Sequence, residues 1–483
     1  MELFFQRHHK NALIIIFVVF AVLFSLLSVT NYYTFRTYGL DHGLYTKALY
    51  DYAHFRMCDC SFFQNEPIAL LGDHFDLYLM IFSPLIWLFG PLTLLIVQII
   101  AVLFGALGVY RLIRLYSYTE TLPLAATLSF LLFFGIWHAL AFDYHSNVVA
   151  TMLLPWLLYC FKSRKYGKAS FLLIMMMIAK ETIPLWLCFV FIALLWDYRK
   201  DKKAVVWLTA YIIFCLIYLI VINLYVMPHF NHGHSPGFWR YEYMGSNVRD
   251  IALWMLAHPV KVVQNLFFTP NDEGIKAEFY ICALTSGLLL AFFKPNYLIM
   301  LIPLLVQKML AYDESFWGVT RQYSVEFAPV LVVAGFIAIA KLKNIKWQFG
   351  LSAAMVILTL STTIYTVDTP LTSISTGRVR IFQAQHYHQS EFDVDVARRM
   401  LNKIPDDASV CATTFFTPHL ALRDSVYLFP SGLQYNAEYF LVKKKHWSYS
   451  SDDTKKVSTV INCNPLYEVL DTNGDLYLLR KKR

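Results

Sequence analysis

Charge is scarce: Asp, Glu, Lys and Arg make up 15% of the 483 residues, where a soluble domain carries roughly 25%. With 57% hydrophobic residues and a mean hydropathy of +0.48, that shortage excludes an ordinary soluble enzyme. No basic face exists either, because the Lys and Arg behind the net charge of +8 lie between hydrophobic runs, so no nucleic acid partner is expected. Disorder is excluded by 39 Phe, 31 Tyr and 11 Trp. The polar C-terminal region lacks any Gly-rich loop of Walker or Rossmann form, which removes support for a soluble nucleotide-dependent domain. No small-residue cleavage site follows the first apolar stretch, where Ser28-Val29-Thr30-Asn31-Tyr32 stands, so the segment after Arg7 and Lys10 is expected to be a retained helix. Cysteine is sparse and says little. Cys58-Asp59-Cys60 is too closely spaced for structural zinc, and Cys160, Cys188, Cys215 and Cys282 sit in apolar runs as small fillers. Cys411 and Cys463 share the polar C-terminal region and could pair in an oxidising compartment.

What the chain has is a series of apolar runs approaching the roughly 20 residues that cross a bilayer. They lie near 13–31, 92–110, 121–138, 148–161, 169–179, 184–196, 204–224, 279–293, 297–310, 324–340 and 347–365. The expected architecture is an α-helical integral membrane protein of about 11 transmembrane helices, several of them short. Placing the N-terminus inside puts about 16 Lys or Arg into about 45 inner-loop residues, against about 9 in the longer outer loops, as the positive-inside rule requires. The C-terminus then lies outside.

Three outer regions are substantial: 32–80, 225–278, and everything beyond about 366. In the first, Leu40 to Phe55 and Phe75 to Phe89 read as interfacial helices. In the second, Ser246 is placed to cap a helix running toward Phe268. Beyond Asp368, charge and short β-rich runs indicate a small α/β domain outside the membrane. Its helix is expected at Phe392 to Ile404 and its strands at Ser409 to Ala412, Val426 to Phe429 and Glu438 to Val442, with a hairpin turning at Asn473-Gly474. The expected division is 1–365 for the membrane domain and 366–483 for the outer domain.

Ionisable residues at membrane depth or at helix ends are costly and therefore functional candidates. In this topology Asp41, Asp73 with His74, Asp143 with His145, Lys180 with Glu181, and Arg321 all fall on the outer side. Such a set suits transfer from a lipid-phosphate donor. A carboxylate accepts the proton of an acceptor hydroxyl, Arg or Lys holds a phosphate that leaves with added charge, and Asp with His can bind a divalent metal. Each residue also has a plainer role. Asp41 can cap the following helix, Asp73 and His74 can form a solvated turn, Asp143 and His145 can terminate helices, and Lys180 and Glu181 can pair with neighbours. His232-Gly233-His234 reads as a polar loop, since two His at i and i+2 without a carboxylate make a poor metal site.

The ordered motifs Tyr38-Gly39-Leu40-Asp41-His42-Gly43-Leu44-Tyr45, Leu71-Gly72-Asp73-His74-Phe75, and Pro91-Leu92-Thr93-Leu94-Leu95 running to Tyr110-Arg111-Leu112 resemble a bacterial family of multi-pass membrane proteins. That family is named only as a domain of unknown function and is grouped with the GT-C glycosyltransferases. The resemblance continues through Phe142-Asp143-Tyr144-His145, Ala179-Lys180-Glu181, His258-Pro259, Arg321-Gln322-Tyr323-Ser324, Pro418-His419-Leu420 and Val426-Tyr427-Leu428-Phe429-Pro430. It implies a GT-C-like fold, a polyprenyl-phosphate sugar donor, and an acidic residue in the first outer loop, for which Asp41 is the best match. The chain departs from the pattern at Ser146-Asn147, where a Pro and a carboxylate are expected, and at Thr182, where a second acid is expected. Binding, not catalysis, is therefore what carries over to Asp143 and Glu181.

The resulting expectation is a glycosyltransferase of the bacterial inner membrane that moves a sugar from its lipid carrier to a glycan, lipid or protein acceptor at the extracytoplasmic face. Asp41 is the candidate catalytic base, with Asp73, His74, Asp143, His145, Lys180, Glu181 and Arg321 binding substrate. Asp41, Asp73 and His74 are the candidate ligands of a divalent metal, Mg or Mn. The alternative is a transporter or flippase, which a helix-rich chain with a few interior charges also suits. Transport predicts two related halves, and no convincing internal repeat is present.

Overall fold

The computed structural model describes residues 2–59, 69–231, 239–269, 272–371, 376–445, 449–462 and 465–482. Cys60, Cys463 and the His232-Gly233-His234 tract lie outside the described residues. The chain divides into two compact units, one of Met1–Leu27, Val97–Val226 and His234–Arg380, the other of Ser28–Ile96, Met227–Gly233 and Ile381–Arg483.

The first unit is helical. At its centre is Phe327–Ala340, in which nearly every side chain is buried. A helix that is apolar all round belongs inside a larger assembly or a membrane. Lipid tails are as apolar as Leu, so close packing, not escape from water, selects its neighbours. Gly335 shows this: a Cβ there would lie 3.3 Å from Met355 Cε and 3.4 Å from Leu290 Cβ.

Among the described residues, four helical stretches are long and apolar enough to span a membrane: His8–Tyr33, Tyr78–Arg114, Lys202–Phe230 and Ile345–Asp368. The pair Thr121–Leu131 and Phe134–Ala141, bent by 42°, makes a fifth if taken as one span. The expected count of eleven is therefore not confirmed. The other apolar runs do form helices, but short or interrupted ones, because turn-formers stand inside them. The run 279–293 breaks at Ser286 and Gly287, where Gly287 takes φ +129°, and Tyr166–Met177 and Ile183–Tyr198 stop short of 18 residues.

The bend within 121–141 shows how a break is tolerated in an apolar unit. Phe133 is extended, which strips nearby carbonyls of their helical partners, and bare carbonyls at membrane depth are costly. Thr363 Oγ1 donates to Leu132 O, and Trp137 Nε1 donates to Leu131 O at 2.9 Å. Trp137 is held in turn by an edge contact with Phe24, centroids 5.5 Å apart.

The second unit contains a five-stranded mixed sheet, order β2-β1-β3-β5-β4: β1 Val410–Ala412, β2 Val426–Leu428, β3 Tyr439–Lys443, β4 Tyr467–Thr472 and β5 Leu476–Lys481. β1 runs parallel to β2 and β3, while β5 pairs antiparallel with β3 and β4. The expected strands and hairpin are present. Gly474 takes the left-handed φ of +91°, and Asn473 Oδ1 accepts from Leu476 N at 2.8 Å to close the turn. The expected helix is Val394–Leu401, capped by Asp393. Cys411, Phe440, Val442 and Leu479 pack with Val457 and Val460 of Ser451–Asn462.

Two local expectations shift. The run Leu40 to Phe55 becomes a π-helical turn, Gly39–Gly43, leading into Leu44–Ala53. In the segment after residue 239, Asn247, not Ser246, caps Val248–Ala257, and Pro259 starts a separate helix, Pro259–Phe267. A proline disfavours helical backbone in the residue before it, and His258 is accordingly non-helical.

Within the second unit the segment 32–42 docks on the C-terminal region. His419 lies 4.2 Å from the Tyr32 ring and 4.0 Å from the Phe35 ring. Gly39 N donates to Thr414 Oγ1 at 2.8 Å, and Arg36 Nη2 donates to His386 O at 2.6 Å. Burial among these rings, reinforced by the charges of His42 and Arg398, pushes the His419 imidazole down to about 3. The folded value lies below the roughly 6.5 of an unfolded histidine, so the unfolded chain binds the extra proton between those limits. Stability from this group is complete above about pH 6.5 and falls as pH drops toward 3. Thermal unfolding between pH 7 and pH 4 should show that loss in the parent protein and a shallower one in His419→Leu.

Candidate functional site

The polar centre of the first unit is the turn Phe142-Asp143-Tyr144-His145 between the helices Phe134–Ala141 and Ser146–Thr151. A turn of this kind exposes backbone groups that neither helix can satisfy. Gln98, fully buried on Thr93–Arg114, supplies the partners: Nε2 donates to Asp143 O at 2.8 Å, and Oε1 accepts from His145 N at 2.9 Å. One carboxamide thus holds both sides of the turn.

Asp143 itself takes φ +61°, a left-handed conformation that a short acidic side chain tolerates. Its buried carboxylate faces the buried Arg378, with Oδ1 and Nη1 3.5 Å apart. The guanidinium groups of Arg378 and Arg321 each lie 5.1 Å from the centroid of the Phe142 ring. The His145 ring stacks on Phe142 at 5.7 Å with the planes 19° apart. Cations are drawn to an aromatic face, the more so when little water competes.

Arg321 also takes a left-handed φ, +62°. For a long side chain this costs on the order of 1–3 kcal/mol and persists only where the surroundings impose it. Close by, Gly135 lets the chain approach, since a Cβ there would come within 2.6 Å of Ser324 O. The segment 321–324 is seated directly on the helix Phe134–Ala141.

A second cluster adjoins the same turn. Asn147 Nδ2 donates to Glu326 Oε1 at 2.7 Å, and Lys308 Nζ is bound to both Glu326 Oε2 and Tyr323 O. Lys308 and Glu326 are both buried, so each is expensive without the other. Lys180 lies within electrostatic reach of Lys308, and Glu181 within reach of Tyr218. Among the described residues neither Lys180 nor Arg321 has a carboxylate partner, whereas Asp143 is engaged by Arg378 and Glu326 by Lys308. The cluster therefore holds two half-buried cations with capacity for an added anion.

Asp143, His145 and Arg321 thus come together around Phe142, with Lys180 beside the adjoining Lys308. Sequence reasoning missed Gln98, Lys308, Glu326 and Arg378. The first three carried a signal, as polar residues inside the apolar runs 92–110, 297–310 and 324–340. Arg378 carried none, because it follows the last run in a stretch already polar.

Asp41, Asp73 and His74 belong to the second unit. Asp41 is half-buried in the π-helical turn and occupies neither N-cap position, which fall to Tyr38 and Gly43. The turn is gripped at both ends: His42 Nε2 meets Pro91 O at 3.0 Å, and a Cβ on Gly39 would lie 2.5 Å from Thr417 Oγ1. Single π-helical turns are frequent at functional sites. Asp73 closes the short helix Leu70–Asp73 and faces His74, Oδ2 to Nε2 3.8 Å, both residues being half-buried. Gly72 allows this turn to lie against the backbone of Phe230 and Asn231, where a Cβ would meet atoms at 2.8 Å. Among the described residues no three His, Cys, Asp or Glu side chains gather closely enough to hold a metal ion.

Replacing Gln98 with Leu removes both of its hydrogen bonds to the buried turn, to Asp143 O and from His145 N, at about 1–3 kcal/mol each. Thermal unfolding in detergent should show a destabilisation of about 2 kcal/mol or more. A variant as stable as the parent would mean that the turn is held by other contacts.

No curated protein matches the chain in sequence. The crystal structure of ArnT from Cupriavidus metallidurans bound to undecaprenyl phosphate is similar in fold, with a TM-score of 0.53 at 10% identity, covering 96% of this chain and 97% of that one. Residues 31–472 match the family described as "Predicted membrane protein (DUF2079)", and the chain belongs to that family.

Proposed function

We propose that the protein is a GT-C-type transferase that moves a sugar from a polyprenyl-phosphate donor to a glycan, lipid or protein acceptor at the extracytoplasmic face of the bacterial inner membrane. The observation that carries this reading is the pairing of a GT-C-like fold with two half-buried cations, Arg321 and Lys180, that lack carboxylate partners among the described residues. The topology proposed with it has about eleven spans, N-terminus inside and the C-terminal α/β domain outside.

In the proposed reaction an acceptor hydroxyl loses its proton to Asp41 as its oxygen attacks the anomeric carbon. The bond from that carbon to the phosphate oxygen breaks with inversion, and the polyprenyl phosphate leaves carrying the electron pair. Arg321 and Lys180 stabilise the added charge, Arg as a planar fork and Lys as a point charge. His145, stacked on Phe142, and Asp143, facing Arg378, keep the guanidinium groups in place. Glu181 lines the same side, and Asp73 with His74 contacts the acceptor. A divalent ion, Mg or Mn, at Asp41, Asp73 and His74 is a separate proposal that chelation tests.

The decisive assay is transfer of labelled sugar from a panel of polyprenyl-phosphate donors by purified, folded protein, with and without chelator. Asp41→Asn should lower turnover by about 10²-fold or more, the range for losing a general base. Arg321→Ala should cost about 10²-fold, as loss of a group that stabilises developing charge does. Full activity in Asp41→Asn would remove Asp41 from the mechanism. Folded parent protein inactive with every donor would overturn the transferase reading in favour of transport.

A further inference from the structure

A cavity of about 550 Å³ opens in the first unit, at ends of three helical stretches of membrane-spanning character. Its walls are Ile16 of the first helix, Leu122, Ala125 and Leu128 of Thr121–Leu131, and Phe349 and Ala353 of Ile345–Asp368. Thr119, Gln348 and Lys346 also line it, the last of these in the first turn of its helix. The volume lies within the roughly 300–1,000 Å³ of small-molecule sites. None of the residues proposed for sugar transfer lines it.

We infer that this groove binds an anionic phospholipid, one acyl chain lying along the apolar walls and the phosphate meeting Lys346. The walls demand an apolar body, and the rim demands a polar head of negative charge. Among the described residues Lys346 has no acidic partner, and neither do Lys341 and Lys343 just before it. Within the stretches that form the groove, 12–16, 119–128 and 345–353, the one carboxylate is Glu120. It is held by Arg114 at 2.8 Å and by the Tyr110 hydroxyl at 2.8 Å, so it does not neutralise Lys346. The sequence places this rim among the basic inner loops, where the leaflet is rich in anionic lipid. Basic pockets between membrane helices on that side hold such headgroups. A soluble phosphate would satisfy the lysine and leave the apolar walls bare.

The test uses the full chain reconstituted with a defined mixture of phosphatidylglycerol and phosphatidylcholine, with retained lipid counted by native mass spectrometry after mild delipidation. One phosphatidylglycerol per chain should be retained in preference to phosphatidylcholine. Lys346→Gln, at an exposed position, should lower that preference by about fivefold, the worth of one lysine near an anionic surface. Ala353→Trp, which fills the groove, should abolish retention of either lipid while Lys346→Gln still retains phosphatidylcholine. Millimolar inorganic phosphate should not displace the bound lipid. Equal retention of the two headgroups by the parent, no change in Lys346→Gln, or displacement by phosphate would each overturn the inference. Should Ala353→Trp fail to fold, Ala125→Leu narrows the same groove with a smaller side chain, and retention equal to the parent there would count against the site.

Discussion

Wherever a helix breaks inside an apolar unit, the backbone groups it releases must find partners in the protein, because the surroundings offer none. Much of the first unit can be derived from that constraint. The bend after Leu131 is possible because Thr363 and Trp137 reach the freed carbonyls. The turn at Phe142 to His145 is possible because Gln98 can donate to one side and accept from the other. Where no side chain fits, glycine allows another helix to approach instead: the kink at Gly287 is closed by Leu331 and Met355, which a Cβ there would meet at 3.0 and 2.8 Å.

These breaks are also where the charges collect. A charged side chain cannot sit cheaply on the smooth face of an apolar helix. At a turn, exposed carbonyls, aromatic faces and opposite charges can share its desolvation. Asp143 and Arg321 adopt left-handed backbone, and three residues after the arginine Ser324 packs closely on Gly135. Two acids, Asp143 and Glu326, are matched by Arg378 and Lys308. Arg321 and Lys180 remain as the cations of this cluster without an acid among the described residues, and the proposed affinity for a phosphate follows from that imbalance.

Much of this was legible in the chain. The strands and the Asn473-Gly474 hairpin followed from alternation and turn chemistry, which act over a few residues. The motifs at Asp143-Tyr144-His145 and Arg321-Gln322-Tyr323-Ser324 were recognisable as polar interruptions of apolar runs. Helix length was less legible, since hydropathy measures how apolar a run is and not whether Ser286 and Gly287 or an extended Phe133 interrupts it. The partner of Asp143 was not legible at all. Arg378 is more than two hundred residues away in sequence, in a polar stretch where one more arginine draws no notice.

By itself the sequence determined that the chain belongs in a membrane, that its polar C-terminal stretch forms a small sheet, and which short motifs interrupt the apolar runs. Composition and local periodicity are properties of neighbouring residues, so no tertiary information is needed to read them. Only the tertiary structure decided which interruptions meet: Phe142 with Arg321 and Arg378, Asn147 with Glu326 and Lys308, Gly39 with Thr414 and Thr417. The reason is physical. A buried charge is stable only beside its partner, and the partner's place is set by helix packing across hundreds of residues, to which local pattern is blind.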